Sequence, residues 1–316
     1  MIEGLKYRVS KIQGKIEAKK IASEFKDQSL RTPPVFILGA PRTGSTILYQ
    51  LLSSQGDFFY FNNYLAKNHQ TPAKALKTFA SKGGQFKHDS FNSKFGETSG
   101  DNAPSEAGYF WYRWIPEGHH ELKKSDLSKD DLDQISSYFK FFESQSQLPI
   151  LIKNLNMGLR MDLIRSIHPQ ARIIHIVRNT LDNSRSILKG RIKYGNSEDF
   201  WFGSKPNEWQ DWQNGSVAEQ IVGQIEWMNN SILKGAKQLG DECYLRIRYE
   251  DLVKDTDSTI KEIKNFLKNG NIEIEHGFPS LSKESQNEEQ LELSDFDKEV
   301  IELVKSKGTE SNTLYL

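Results

Sequence analysis

Along this chain, apolar residues gather into short blocks separated by longer stretches of mixed polarity. Four blocks read as buried strands: Val35-Phe36-Ile37-Leu38, 149–153, 171–177 and 243–249. Each is too short for a helix and is bounded by turn residues or charges, as expected of strands covered on both faces. Ala171-Arg172-Ile173-Ile174-His175-Ile176-Val177 is the strongest of the four. Helix-like runs lie between and after them, at 47–52, 128–142, 159–167, 181–189, 217–239 and from the last strand to about 268. A charged, helix-like segment fills 1–31. Strands alternating with helices predict βαβ units, a mostly parallel sheet and a three-layer α/β/α fold. Two regions break the alternation. Residues 55–148 are irregular, with polar loops around Asn62-Asn63, Lys82-Gly83-Gly84 and 96–104, and 190–215 is rich in aromatics and glycine. We expect one domain over 1–316, with an N-terminal helical extension and these two regions as insertions.

Composition narrows the class. The 316 residues carry 42 Lys and Arg against 42 Asp and Glu, for a formal net charge of zero; 36% are hydrophobic and 27% charged. Such a balance argues against a general nucleic-acid or anionic-membrane binder and leaves room for a local basic pocket. The single cysteine, Cys243, has no partner for an intrachain disulfide and reads as a small core residue. No run approaches the roughly 18 apolar residues of a membrane span, and the first residues contain no apolar signal core. The expectation is a soluble, cytoplasmic protein of a reducing compartment. Without a zinc-type Cys/His cluster in the sequence, no metal is expected.

Two segments carry the chemistry. In Gly39-Ala40-Pro41-Arg42-Thr43-Gly44-Ser45-Thr46, between a strand and a helix, both glycines and the final hydroxyl match the nucleoside-triphosphate loop G-x-x-x-x-G-K-[ST]. Ser45 stands where the lysine belongs. Backbone N–H groups and the helix dipole still attract an anion there, and Ser45 and Thr46 add hydroxyl donors. The cation comes early, as Arg42, whose planar fork suits an oxyanion. The second segment is 171–190. Arg178 ends the strongest strand, and Ser186 stands about two helical turns further on. A second anion site at a strand's C-terminal end would lie beside the first on a parallel sheet. Two anion sites fit a nucleotide phosphorylated at two separate positions.

Together these segments resemble the sulfotransferase family. The 36–52 stretch is similar to the family's 5′-phosphosulfate loop, and Arg178 with Ser186 to its 3′-phosphate motif. Ile152-Lys153-Asn154 stands where many bacterial and tyrosylprotein-type members have a lysine. Arg248-Tyr249-Glu250-Asp251-Leu252 resembles a tyrosine-containing segment after a late strand, and Leu281-Ser282-Lys283 a late Ser-Lys loop. The 96–116 stretch is similar to bacterial members associated with surface-polysaccharide synthesis. The likeness runs from 35 to about 285. It implies a P-loop-like fold and, as co-substrate, 3′-phosphoadenosine 5′-phosphosulfate, which leaves as 3′,5′-ADP without help from a metal. Arg42, Thr43, Gly44, Ser45 and Thr46 would then hold the 5′ end of the donor, and Arg178 and Ser186 its 3′-phosphate. Tyr249, Ser282 and Lys283 would line or close the nucleotide site. Arg42 first, and Lys153 second, would stabilise charge developing on the bridging oxygen.

Tyrosylprotein-type members place a glutamate base soon after the loop, whereas 55–70 here offers only Asp57 and His69. We weigh Glu106, Glu97, His69, His88 and Asp101. Glu106 comes first because the adjacent aromatic cluster would desolvate it, and His69 second because imidazole titrates near neutrality. The insertions at 55–148 and 190–215 fall on the acceptor side. Trp111, Trp114, Trp201 and Trp209 in them are candidate walls for a small-molecule or glycan acceptor, with a carbohydrate favoured. Two other classes are a P-loop kinase and a non-catalytic nucleotide- or glycan-binding module. The first needs the loop lysine and acidic magnesium ligands, against which Ser45 and Arg178 speak.

Overall fold

The structure is a computed structural model and describes residues 2–94, 96–207, 209–279, 281, 293–307 and 314–316. Ser282 and Lys283 lie outside the described residues. Helix α1 (Ile2–Phe25) precedes strand β1 (Val35–Leu38) and α2 (Ser45–Ser53). Next come β2 (Phe59–Tyr60), α3 (Asn63–Lys67), α4 (Pro72–Ser81), β3 (Ser93–Lys94), β4 (Glu97–Thr98), α5 (Gly108–Trp111) and α6 (Lys129–Ser146). Then follow β5 (Ile150–Lys153), α7 (Met161–Ile167), β6 (Arg172–Val177), α8 (Thr180–Gly195) and α9 (Val217–Ala236). The last elements are β7 (Tyr244–Arg248), α10 (Tyr249–Lys254), α11 (Thr256–Lys268) and α12 (Asp295–Ser306).

Five strands form one sheet in the order β2-β5-β1-β6-β7, every neighbouring pair parallel, while β3 and β4 make a separate antiparallel ribbon. β1 is central, with Ile37 opposite Lys153 on one side and Ile174 on the other. The two-residue period of a strand divides its side chains between two cores. Phe36, Leu38 and Ile152 pack with Phe139 of α6 and Leu163 of α7. Val35, Ile37, Leu151 and Ile174 pack with Leu48 and Leu52 of α2 and Ile263 of α11. Helices therefore cover both faces, the expected α/β/α layering. A third cluster joins α8, α9 and α12 through Ile187, Ile221 and Val300. The chain leaves β1 toward β2 and later returns from β5 across β1 to β6. The switch point thus falls at the C-terminal end of β1, where parallel sheets bind ligands.

The four predicted strands form where the apolar blocks lie. α6 starts at the predicted place because Ser128 caps it, its hydroxyl accepting from Asp131 N while the Asp131 carboxylate accepts from Ser128 N. β2 is an addition to the sequence reading. The run Phe58-Phe59-Tyr60-Phe61 is wholly buried, yet only Phe59 and Tyr60 pair with β5, too short a ladder to read from period. Cys243 is buried in the core. Among the described residues, no helix is long and apolar enough to cross a membrane.

Candidate active site

The loop from Gly39 to Gly44 folds over the end of β1 and delivers the chain into α2. Gly44 has φ 88°, and a Cβ there would stand 2.2 Å from Cδ2 of Tyr249, so both backbone and space require glycine. Arg42 also lies in the left-handed region, at φ 68°. For a residue with a side chain that costs roughly 1–2 kcal/mol, offset by the surrounding structure. Thr43 is buried and donates its hydroxyl to Ala40 O at 3.0 Å, bracing the turn from inside. No side chain caps α2. Gly44, Ser45 and Thr46 at its start line a cleft, and an uncapped helix start of this kind is suited to an anion.

A second cation reaches the loop from the neighbouring strand. Lys153, the last residue of β5, is almost fully buried and donates to Thr46 Oγ1 at 3.3 Å. It also makes a direct ion pair with Glu106 Oε1. The Lys153 side chain is 3% exposed and that of Glu106 30%, so the carboxylate is the half of the pair that an incoming molecule meets. Glu106 Oε2 accepts from Leu155 N at 3.3 Å, and Glu106 O accepts from Asn154 Nδ2 at 3.0 Å. Ala107, which follows, has φ 47°, and this sharp turn sends the chain away into α5. The bend at Gly96, between β3 and β4, lies over the pair: a Cβ there would be 3.5 Å from Glu106 Oε1 and 3.6 Å from Thr46 Oγ1.

On the other side of the loop, Arg42 Nε donates to Ser186 Oγ at 3.1 Å, and Arg178 Nη1 donates to Arg42 O at 3.3 Å. The Arg178 guanidinium lies 4.7 Å from the ring centre of Tyr249. Burial, and then the charge of Arg178, lower the Arg42 pKa from its usual value. Arg178 Nε is buried and makes no hydrogen bond. Two neighbouring guanidiniums and an orphaned donor fit an anionic group between them. Glu250 supports this side from behind: its carboxylate accepts from Asn179 N and from Tyr315 Oη, each at 2.7 Å. Thr180 N in turn donates to Tyr315 O at 2.7 Å.

Arg42, Gly44, Ser45, Thr46, Glu106, Lys153, Arg178 and Tyr249 line a single cleft. Phe202 lines it as well, stacked on Tyr194, and was missed in the sequence because nothing separates it from its aromatic neighbours. The other base candidates stand elsewhere. His69 stacks on Tyr109 at 5.3 Å and accompanies it in a separate groove. His88 is buried against Ser53 Oγ at 2.9 Å, Asp101 pairs with Lys67 at 2.8 Å, and Asp57 meets His276 at 2.8 Å. Glu97 is exposed on β4. Among the tryptophans, Trp111 is 1% exposed and packs on Phe110 and Phe139, so it is a core residue. Trp201 is buried and donates Nε1 to Ser204 O at 3.0 Å. Trp209 is half-buried, with Lys205 Nζ 4.0 Å from its ring centre. Trp114 donates Nε1 to Gln134 Oε1 at 3.0 Å and lines the groove that holds His69. Among the described residues no group of His, Cys, Asp and Glu is arranged to hold a metal ion.

A glycine-rich loop at the end of the central strand, in a parallel sheet covered on both faces, defines a P-loop-like α/β protein. The chain belongs to the sulfotransferase family, whose family model matches residues 33–269, and is accordingly a transferase. It is similar in fold to sulfotransferase STF9 from Mycobacterium avium, at 12% identity and a TM-score of 0.52, over 90% of this chain and 70% of that one. It is also similar to the sulfotransferase domain of the Synechococcus PCC 7002 olefin synthase, at 19% identity and a TM-score of 0.44, over 79% and 76% of the two chains. A sulfotransferase from Alicyclobacillus acidocaldarius gives 14% identity and a TM-score of 0.45, over 87% and 91%. No curated protein matches the chain in sequence.

Proposed function

We propose that this protein transfers a sulfuryl group from 3′-phosphoadenosine 5′-phosphosulfate to a hydroxyl of a carbohydrate or glycoconjugate. The observation that carries the reading is the meeting of Lys153 and Glu106 at Thr46, beside a loop whose other flank holds Arg42, Arg178 and Ser186. The loop N–H groups, Ser45 and Thr46 bind the 5′ end of the donor, and Arg178 and Ser186 its 3′-phosphate. Tyr249 closes this side against Gly44. The acceptor oxygen attacks sulfur in line, and the bond from sulfur to the bridging phosphate oxygen breaks. The acceptor proton passes to the Glu106 carboxylate, and 3′,5′-ADP departs. Lys153 holds Glu106 in place and, being buried, counters negative charge growing on the bridging oxygen. A single fixed donor of this kind is worth about 3–4 kcal/mol of barrier.

The test has two parts. Calorimetry should give tighter binding for 3′,5′-ADP than for 5′-AMP; equal affinities would remove the second anion site. Labelled donor is then offered to oligosaccharides, lipid-linked sugars, phenols, tyrosyl peptides and hydroxyacyl carriers. Transfer to a phenol or peptide, with none to any sugar, would reject the carbohydrate acceptor.

A further inference from the structure

A groove of about 620 Å³ opens between α1, His69-Gln70 and the 109–117 segment. One wall is a row of lysines, Lys11, Lys15 and Lys19, all exposed and a helical turn apart. Glu17, which lies between two of them in sequence, is turned inward. Its carboxylate accepts from Ala73 N and Lys74 N at 3.0 and 2.9 Å, and from Tyr138 Oη at 2.9 Å. That anchors α1 and leaves the lysine row without its nearest carboxylate. The opposite wall is aromatic. Tyr109 is 59% exposed although its helix is otherwise rooted in the core, and Tyr112 and Trp114 accompany it. Arg113 lies 4.7 Å from the ring centres of both Trp114 and Tyr138 and donates to Gly14 O at 2.9 Å. The acids of the groove are Glu117 and Asp131, and Asp131 is occupied in capping α6. Cations therefore prevail in a chain whose total charge is zero.

We propose that this groove binds an acidic oligosaccharide, as the docking site for the acceptor chain; the docking role rests on the sulfuryl-transfer reading above. Three cations about 6 Å apart along one helix face do not converge on a single phosphate; they match a linear ligand with repeated negative charges. Aromatic faces opposite them match the C–H faces of sugar rings. Position agrees with the role. α5 starts two residues after Glu106, and Glu106 O is held by Asn154 at the end of β5, so the aromatic wall is rooted beside the segment that carries that carboxylate. α1, which carries the lysine wall, lies outside the residues 33–269 that the family model matches.

The test is calorimetry on the full chain with three probes: a glucuronate-containing tetrasaccharide, its carboxyl-reduced counterpart and a single-stranded oligonucleotide. The acidic tetrasaccharide should bind at least about tenfold tighter than the reduced form, and the combined K11A, K15A and K19A variant should abolish that preference. Tyr109→Ala should weaken both saccharides alike. 3′,5′-ADP should bind the triple variant as it binds the unaltered protein, establishing that the fold is intact. No preference for the acidic form, an unchanged preference in the triple variant, or tighter binding of the oligonucleotide would each overturn the proposal. Saccharide binding that survives in a protein unable to bind 3′,5′-ADP would support the groove and remove the transfer reading instead.

Discussion

Lys153 and Glu106, 47 residues apart in sequence, meet in a direct ion pair at the C-terminal end of β5, with Thr46 of the phosphate loop beside the ammonium. The pair makes one side chain's role depend on the other's. Glu106→Gln should lower kcat by about 10² to 10⁴, the usual worth of a positioned base, with 3′,5′-ADP affinity retained. Lys153→Ala should also lower kcat. The double variant should fall no lower than the worse single one, because groups acting as a unit are not additive. Single-turnover transfer rates check this; two independent, multiplying losses would show that Lys153 and Glu106 do not act as a unit.

Of the two parts expected of Arg42, holding the donor and stabilising charge on the bridging oxygen, its contacts bear on the first. Its Nε bonds to Ser186 Oγ, and its carbonyl receives Arg178, so the residue links the phosphate-type loop to the end of β6 and to α8. Arg42→Ala should therefore weaken 3′,5′-ADP by about tenfold as well as slow transfer, since a partly buried charged contact is lost. If calorimetry finds the affinity unchanged, Arg42 acts on the transition state alone.

Gly44 and Tyr249 leave no room for a side chain between them. Gly44→Ala meets both an unfavourable φ and the Tyr249 ring. Loss of 3′,5′-ADP binding by more than about tenfold is expected, with a near-native circular dichroism spectrum, because the displaced parts are a loop and a ring at the surface of the cleft. Tyr249→Ala in the Gly44→Ala background should restore part of that affinity; no restoration would mean that backbone strain alone is responsible.

His175 gives the fold a pH dependence. It is buried on β6 between Tyr244 Oη at 2.8 Å and Asn229 Oδ1 at 3.1 Å, and burial pushes its pKa down to about 4. In the unfolded chain the imidazole titrates near 6.5, so between about 6.5 and 4 the unfolded state binds the extra proton and stability falls as pH falls. One such group contributes a slope of up to about 1.4 kcal/mol per pH unit in that window. Urea titrations at several pH values should show His175→Gln with the shallower slope, whatever its stability at pH 7. Parallel slopes would exclude His175 as a source.

Trp111→Ala should destabilise the fold by about 3–5 kcal/mol, as removal of a large core side chain does, whereas Trp209→Ala should cost much less. Thermal unfolding of the two variants separates the core residue from the half-buried one.

What could be read in advance follows from how local each signal is. The strands 35–38, 150–153, 172–177 and 244–248 are apolar in sequence because both faces are covered, so their burial is written in single blocks. β2 is not legible, because its pairing is two residues long inside an aromatic run that serves packing equally well. The loop, Arg178 and Ser186 are legible because a strand, a turn and a helix must follow in order to present them. The partnership of Glu106 with Lys153 is not, since it forms only where the segment before α5 folds back onto the end of β5. The aromatic cluster suggested Glu106, but its Phe110 and Trp111 turn into the core, and the group that faces the carboxylate is an ammonium. The tryptophans read alike in sequence and separate only by burial.

Glu250 joins Asn179, next to Arg178, to the hydroxyl of Tyr315, and Tyr315 bonds in turn to Thr180. A segment far along the chain is thus latched beside Arg178, at the edge of the cleft. Coupling between two equilibria is reciprocal. If the latch steadies Arg178 for the donor, then the donor must steady the latch to the same degree. Amide hydrogen exchange at Tyr315 should slow when 3′,5′-ADP is added, and Tyr315→Phe should erase that protection while weakening the nucleotide by the matching factor. The segment would then report occupancy of the cleft without touching anything in it.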